Sequence, residues 1–177
     1  MSDVTVFCSA SNDIDPIFFE FTVKLAKLLA DKEYDLVYGG DSVGLMGSLS
    51  KNLKENGRKL CGICVNKMFE TGRYADYCDE VIIVNNLNER KTEMINRSEI
   101  ILVLPGGIGT LNEMLDVFVM KHLKLISKKK IILLNVDGFF TRFLELLLYL
   151  KQKKFMKDNL DEMFLLANSI EDLEKMI

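Results

Sequence analysis

Short apolar runs alternate along the chain with longer stretches whose apolar residues recur every three or four positions, and this alternation limits the fold more than any other feature. The runs are Val4–Cys8, Asp35–Tyr38, Lys59–Val65, Val81–Val84, Ile100–Leu104 and Ile131–Asn135, with a further candidate at Phe164–Ala167. Most are apolar at consecutive positions, the pattern of a strand covered on both faces. Between them, Ile17–Asp31, Val43–Asn56, Leu87–Ser98, Thr110–Lys121, Phe140–Lys153 and Ile170–Ile177 show helical spacing, as in Phe18, Phe21, Leu25, Leu28 and Leu29. Parallel strands need helical crossovers, so this order predicts an α/β fold, a Rossmann-like doubly wound parallel sheet with helices on both faces. No linker, repeat or low-complexity segment interrupts residues 1–177, which read as a single domain. A chain of 177 residues buries a full core without disulfides or metal.

Charge narrows the partners. Lys and Arg total 23 against 26 Asp and Glu, a formal net charge of -3, which argues against a general electrostatic hold on nucleic acid or on an anionic membrane. No apolar run approaches the ~20 residues that span a bilayer, and the start MSDVTVFC lacks a basic segment leading into an apolar one, so a cytoplasmic protein is expected. Reduced thiols follow for Cys8, Cys61, Cys64 and Cys78. Cys61 and Cys64 form a CxxC inside a predicted strand, where a three-residue offset sends the side chains to opposite faces. Core packing is therefore expected of them rather than redox or zinc chemistry.

Ligands of open α/β sheets collect at the carboxyl ends of the strands, and three loops there are unusual. Pro105-Gly106-Gly107-Ile108-Gly109-Thr110 follows a strand and leads into a helix. Its glycines allow close backbone approach, and the helix amides suit a phosphate, with Thr110 as a further donor. Thr110-x-x-Glu113 also reads as a capping box that binds nothing. A phosphate beside Glu113 would be repelled unless that carboxylate faces another part of the ligand, such as a ribose. The second loop, Gly39-Gly40-Asp41-Ser42-Val43-Gly44-Leu45-Met46-Gly47, offers a hydroxyl at Ser42 and glycines such as Gly44, but fits neither GxGxxG nor GxxxxGK[ST]. The third element, Asn88 to Arg97, reads either as a solvated face laced with i,i+4 pairs or as a way to bring Arg90 and Lys91 to the strand ends. His122, the single histidine, falls at the end of the helix that follows the PGGIGT loop.

Together these segments resemble the Lonely Guy (LOG) family of cytokinin-activating phosphoribohydrolases. Pro105 to Glu113 matches its PGGxGTxxE signature, Ser42-Val43-Gly44-Leu45-Met46-Gly47 its SVGLMG and Glu89-Arg90-Lys91 its (E/Q)RK, while Leu134 to Phe140 is similar to its LNVDGYY. Asp41 stands where that family usually has a third glycine, Cys8-Ser9-Ala10-Ser11 replaces CGSS, and Asn112 replaces a frequent glutamate. The resemblance implies a Rossmann-like homodimer that removes ribose 5-phosphate from adenine-type nucleoside 5'-monophosphates, including AMP and cytokinin riboside 5'-monophosphates. It implies Arg90 and Glu113 as catalytic residues. Gly106, Gly107, Ile108, Gly109 and Thr110 would hold the phosphate, and Lys91, Ser42, Gly44 and Glu70 would be further binding residues. No metal and no cofactor are implied. Similar folds also carry molybdenum cofactor without turnover, so a binding or carrier protein is the alternative, against which the retained Arg90 and Glu113 argue. Pyridoxal-dependent lysine decarboxylation needs a Schiff-base lysine that nothing in the sequence singles out.

Overall fold

The structure, a computed structural model, describes residues 2–72, 74–157 and 159–177. Strands β1 (Ser2–Phe7), β2 (Tyr34–Tyr38), β3 (Leu60–Val65), β4 (Glu80–Val84), β5 (Ile100–Val103), β6 (Lys130–Leu134) and β7 (Leu165–Ala167) form one sheet in the order β4-β3-β2-β1-β5-β6-β7. Every neighbouring pair is parallel. The chain thus builds outward from β1 to β4, then returns to β1 and builds outward on its other side. The doubly wound, Rossmann-like fold expected from the sequence is the fold observed.

Alternation along the strands divides the core between two faces. Val4, Val6, Leu36 and Tyr38 pack with Leu25 and Leu29 of α1 (Pro16–Asp31) and with Leu45, Leu49 and Leu53 of α2 (Gly44–Glu55). On the other face, Phe7, Val37, Ile63 and Ile101 meet Met94 and Ile95 of α4 (Leu87–Asn96) and Met114, Val117 and Phe118 of α5 (Ile108–His122). Leu147 of α6 (Thr141–Gln152) joins this second cluster, and Leu173 of α8 (Ile170–Glu174) the first. Because both faces are covered, central strands are apolar at consecutive positions. Two short helices, α3 (Asn66–Glu70) and α7 (Leu160–Met163), escape the periodicity, being too brief to repeat it.

Hydrophobic runs mark the buried part of a strand, not the ends of its ladder. β1 begins at Ser2 and Asp3, whose backbones pair with Tyr34 and Asp35, and it stops before Cys8, which lies in the following loop. Leu134 to Phe140 forms the turn from β6 into α6. The Asn135 Oδ1 accepts from the Phe140 amide at 2.8 Å, and its Nδ2 donates to Asn168 Oδ1 at 2.9 Å. Cys61 and Cys64 are free and buried, Cys61 on the α4 face and Cys64 with its Sγ against the Gly39–Gly40 turn. Burial pushes the Cys61 thiol up to about 12 and raises that of Cys64, so neither is primed as a thiolate. No helix among the described residues is long and apolar enough to cross a membrane.

Candidate functional site

The winding reverses between β1 and β5, so the loops leaving these adjacent strands diverge and open a crevice. Ser9 N donates to Pro105 O at 3.3 Å across its base, and Met46 N donates to Ser9 O at 3.2 Å, drawing the start of α2 to its rim. The crevice is a cavity of about 240 Å³ lined by Cys8, Ser9, Ala10, Met46, Arg90, Gly107, Gly109, Thr110 and Glu113.

Its phosphate-competent side is the start of α5. Gly107 is the N-cap, no side chain caps the helix, and the first turn holds no acid. Thr110 is the third helical residue, so the Thr110–Glu113 capping box does not form. Gly106 lacks a side chain for an internal reason, since a Cβ there would lie 2.1 Å from Thr110 Oγ1. At Gly107 and Gly109 a Cβ would meet nothing within 4 Å. As the N-cap, Gly107 stands where glycine is an ordinary choice, whereas Gly109 lies within the first helical turn, where glycine costs up to about 1 kcal/mol relative to alanine. Ile108, between them, is 82% exposed.

Arg90 enters from the opposite side on α4. Asn86 caps that helix by accepting from the amides of Asn88 and Glu89, while Glu89 reaches back to the Asn85 amide and to the side-chain amides of Asn85 and Asn86. Farther along, the Met94 carbonyl accepts from the buried Thr5 hydroxyl at 2.7 Å. The helix divides by face: Glu93 and Arg97 pair on the outside, whereas Arg90 and Lys91 are buried, and of these two Arg90 lines the cavity. Arg90 Nε donates to Ile63 O at 2.8 Å and Nη2 to Gly39 O at 2.8 Å, which leaves Nη1 facing Glu113 Oε1 at 3.4 Å.

Glu113, one turn beyond Thr110 on the same face of α5, is 6% exposed. Burial drives its carboxyl up to about 7, outweighing the pull of the Arg90 charge and then of Lys91. Burial also raises the neighbouring Cys8 thiol, and Glu113 adds to the rise, so Cys8 lines the cavity as a thiol. Among the described residues the cavity thus brings together one guanidinium and one carboxyl whose pKa burial moves to about 7, faced by main-chain amides.

The other expected ligand residues take different positions. Lys91 Nζ donates to Asn112 Oδ1 at 2.9 Å and pairs with the Asp116 carboxylate, which ties α4 to the turn of α5 that carries Glu113. It is engaged on the helix side and does not line the cavity, and no lysine lines it. Gly44 has φ +61° and packs where a Cβ would lie 2.5 Å from the Ala10 carbonyl carbon, and its amide donates to Asn12 Oδ1 at 2.8 Å. The close approach it permits is thus by the chain's own Ala10–Ser11 segment. Ser42 lies in the turn before α2, where its carbonyl packs on Gly47, and Glu70 is exposed at the end of α3; neither lines the cavity. His122 is exposed at the far end of α5, roughly 20 Å along the helix from the PGGIGT loop. Sequence reasoning missed Met46 and Ser9 as lining residues, although Met46 lies inside the SVGLMG segment.

Comparisons with known proteins give the chain its family. The family model described as possible lysine decarboxylase matches residues 46–177. A cytokinin riboside 5'-monophosphate phosphoribohydrolase of Arabidopsis thaliana is 32% identical over 174 residues, spanning 98% of this chain and 80% of that protein. One from Oryza sativa subsp. japonica is 37% identical over 141 residues, 80% of this chain and 58% of that protein. In fold, the chain is similar to the molybdenum cofactor binding protein of Rippkaea orientalis, with a TM-score of 0.68 at 23% identity, over 99% of this chain and 94% of that one.

Proposed function

The chain belongs to the Lonely Guy family of phosphoribohydrolases, and from that premise we propose that it cleaves the N-glycosidic bond of cytokinin riboside 5'-monophosphates or AMP, releasing free base and ribose 5-phosphate. The observation that carries this reading is the buried Arg90–Glu113 pair facing a helix start that no side chain caps and whose first turn carries a glycine, Gly109, with open space beside it. In the proposed reaction the C1'–N bond breaks with its electron pair leaving on the base, and positive charge grows at C1'. The Glu113 carboxylate stabilises that charge and takes a proton from the water that adds to C1'. The departing base, open to solvent at the mouth, takes up a proton from solvent, and Glu113 returns the one it took to solvent, so that one water is added across the bond. The amides of Gly107, Ile108, Gly109 and Thr110 hold the phosphate, so the like charges of phosphate and Glu113 are separated by the sugar. Arg90 spends Nε and Nη2 on main-chain carbonyls and keeps Nη1 for the cavity, where it holds Glu113 beside the sugar.

A cavity of about 240 Å³ is smaller than the ~300–1,000 Å³ of a typical ligand site, so this chain encloses the ribose 5-phosphate end and leaves the base at the mouth. A second copy would complete the mouth. Homodimerisation is supported by the apolar side of α5, where Leu115, Val119 and Leu123 are exposed in line with Ile108 of the phosphate loop. Sedimentation equilibrium returning a monomer would remove this part of the reading.

Incubation with AMP and with its N6-prenylated analogue, followed by chromatography of the free base, tests the activity. Base release that is lost in Glu113→Ala is the expected result. Tight nucleotide binding with no base released from either compound would instead favour a carrier, the reading that the shared fold alone allows.

A further inference from the structure

The Gly39–Gly40 turn, which as a sequence reads as room for a ligand, is filled by the protein itself. A Cβ on Gly39 would lie 1.9 Å from Arg90 Nη2 and 3.1 Å from its Cζ, with Met46 Sδ at 3.2 Å. The Gly39 carbonyl meanwhile accepts from that same Nη2 at 2.8 Å. Gly40 is glycine for a different reason, because its φ of +76° is a left-handed conformation and a Cβ would lie 2.5 Å from Cys64 Sγ. Gly39 has no such backbone requirement, since its φ is not in the left-handed region. What excludes a side chain there is chiefly the guanidinium.

We infer that Gly39 is a positioning residue: its carbonyl and its missing side chain form a socket that, together with the Ile63 carbonyl, locks the Arg90 guanidinium so that Nη1 faces Glu113 and the cavity. The socket rests on the reading of the site given above. A guanidinium held at two edges by main-chain acceptors cannot swing toward solvent, and its remaining edge points one way. Buried charge that is fixed before substrate arrives needs no reorganisation during reaction.

A cycle of Gly39→Ala, Arg90→Met and the double variant tests this, read both by steady-state kinetics on AMP and by thermal unfolding. Methionine keeps the aliphatic stem of Arg90 and vacates the position of Nη2. Gly39→Ala is expected to lower kcat roughly a hundredfold with a smaller change in KM, as misplacement of a catalytic group does, and to lower Tm. In the Arg90→Met background the guanidinium is gone and the remaining contact is the flexible Met46 side chain, with Sδ at 3.2 Å, so the double variant should match Arg90→Met in both kcat and Tm. A fully active Gly39→Ala, or a further fall in Tm in the double variant, would put the glycine's role in the turn itself and overturn the socket. If Gly39→Ala alone does not fold, a double variant that folds like Arg90→Met supports the socket, and one that does not fold overturns it. Absence of base release by the unaltered protein would defeat the proposed function, while the melting cycle still decides the socket.

Discussion

Replacing Glu113 by glutamine is expected to lower kcat for base release about a thousandfold with KM little changed. Glutamine preserves the volume and an acceptor for Arg90 Nη1, but it can neither carry the negative charge that answers C1' nor take a proton from water. Nearly all of the loss should therefore fall on the chemical step. A KM raised in proportion with kcat intact would mean that Glu113 only binds, and would remove it from the mechanism.

The same carboxyl sets a pH signature. With burial holding it up to about 7 in the free protein, it is mostly protonated in mild acid, and kcat/KM for the unaltered protein should rise with pH through about 7 and then level off. Any residual activity of Glu113→Gln should lack that limb. Stability moves in the opposite direction. The folded state holds this proton more tightly than the unfolded chain, so folding loses stability as pH rises from the ordinary carboxylate range to about 7. Glu113→Gln should therefore gain in Tm relative to the unaltered protein between about pH 5 and about pH 8. A relative Tm that stays flat over that interval would mean that the carboxyl is already ionised at the acid end.

How much of this was legible in the sequence depends on whether a residue acts with its neighbours in the chain or with distant ones. Strand and helix order can be read because burial on both faces leaves a local apolar pattern, whereas α3 and α7 are too short to leave one. The PGGIGT loop is legible through its glycines, yet a capping box and a phosphate site share Thr110 and Glu113. Only the start of α5 at Ile108 separates the two. Arg90 is the reverse case: its spacing suits a solvated face equally well, and its burial depends on the Ile63 and Gly39 carbonyls, brought from β3 and from the loop after β2. Lys91 and Gly44 show the limit of motif reasoning. Both sit inside matched segments, and both are engaged by Asn112 and Asp116 or by Asn12 and the Ala10–Ser11 backbone, contacts that no linear spacing encodes.

Removal of the phosphate should cost as much as removal of the acid: kcat/KM for adenosine is expected to fall about a thousandfold or more below that for AMP. Among the described residues that line the cavity Arg90 is the one cationic side chain, and two of its nitrogens are held by main-chain carbonyls, so the sugar alone gains little fixed contact. The amides at the start of α5 are oriented before any ligand binds and sit at the positive end of a fifteen-residue helix. Binding energy gathered there, remote from C1', can hold the ribose against Glu113, and a nucleoside forfeits it. Gly109→Ala separates this use of the loop from a structural one. Alanine in a first helical turn with open space around it should stabilise the fold by about 0.5–1 kcal/mol. The same methyl stands where the phosphate must approach, so kcat/KM for AMP should drop sharply while the already poor rate on adenosine changes little. Equal rates on AMP and adenosine, or a Gly109→Ala variant that handles AMP as well as the unaltered protein does, would show that the helix start is not where the phosphate is held.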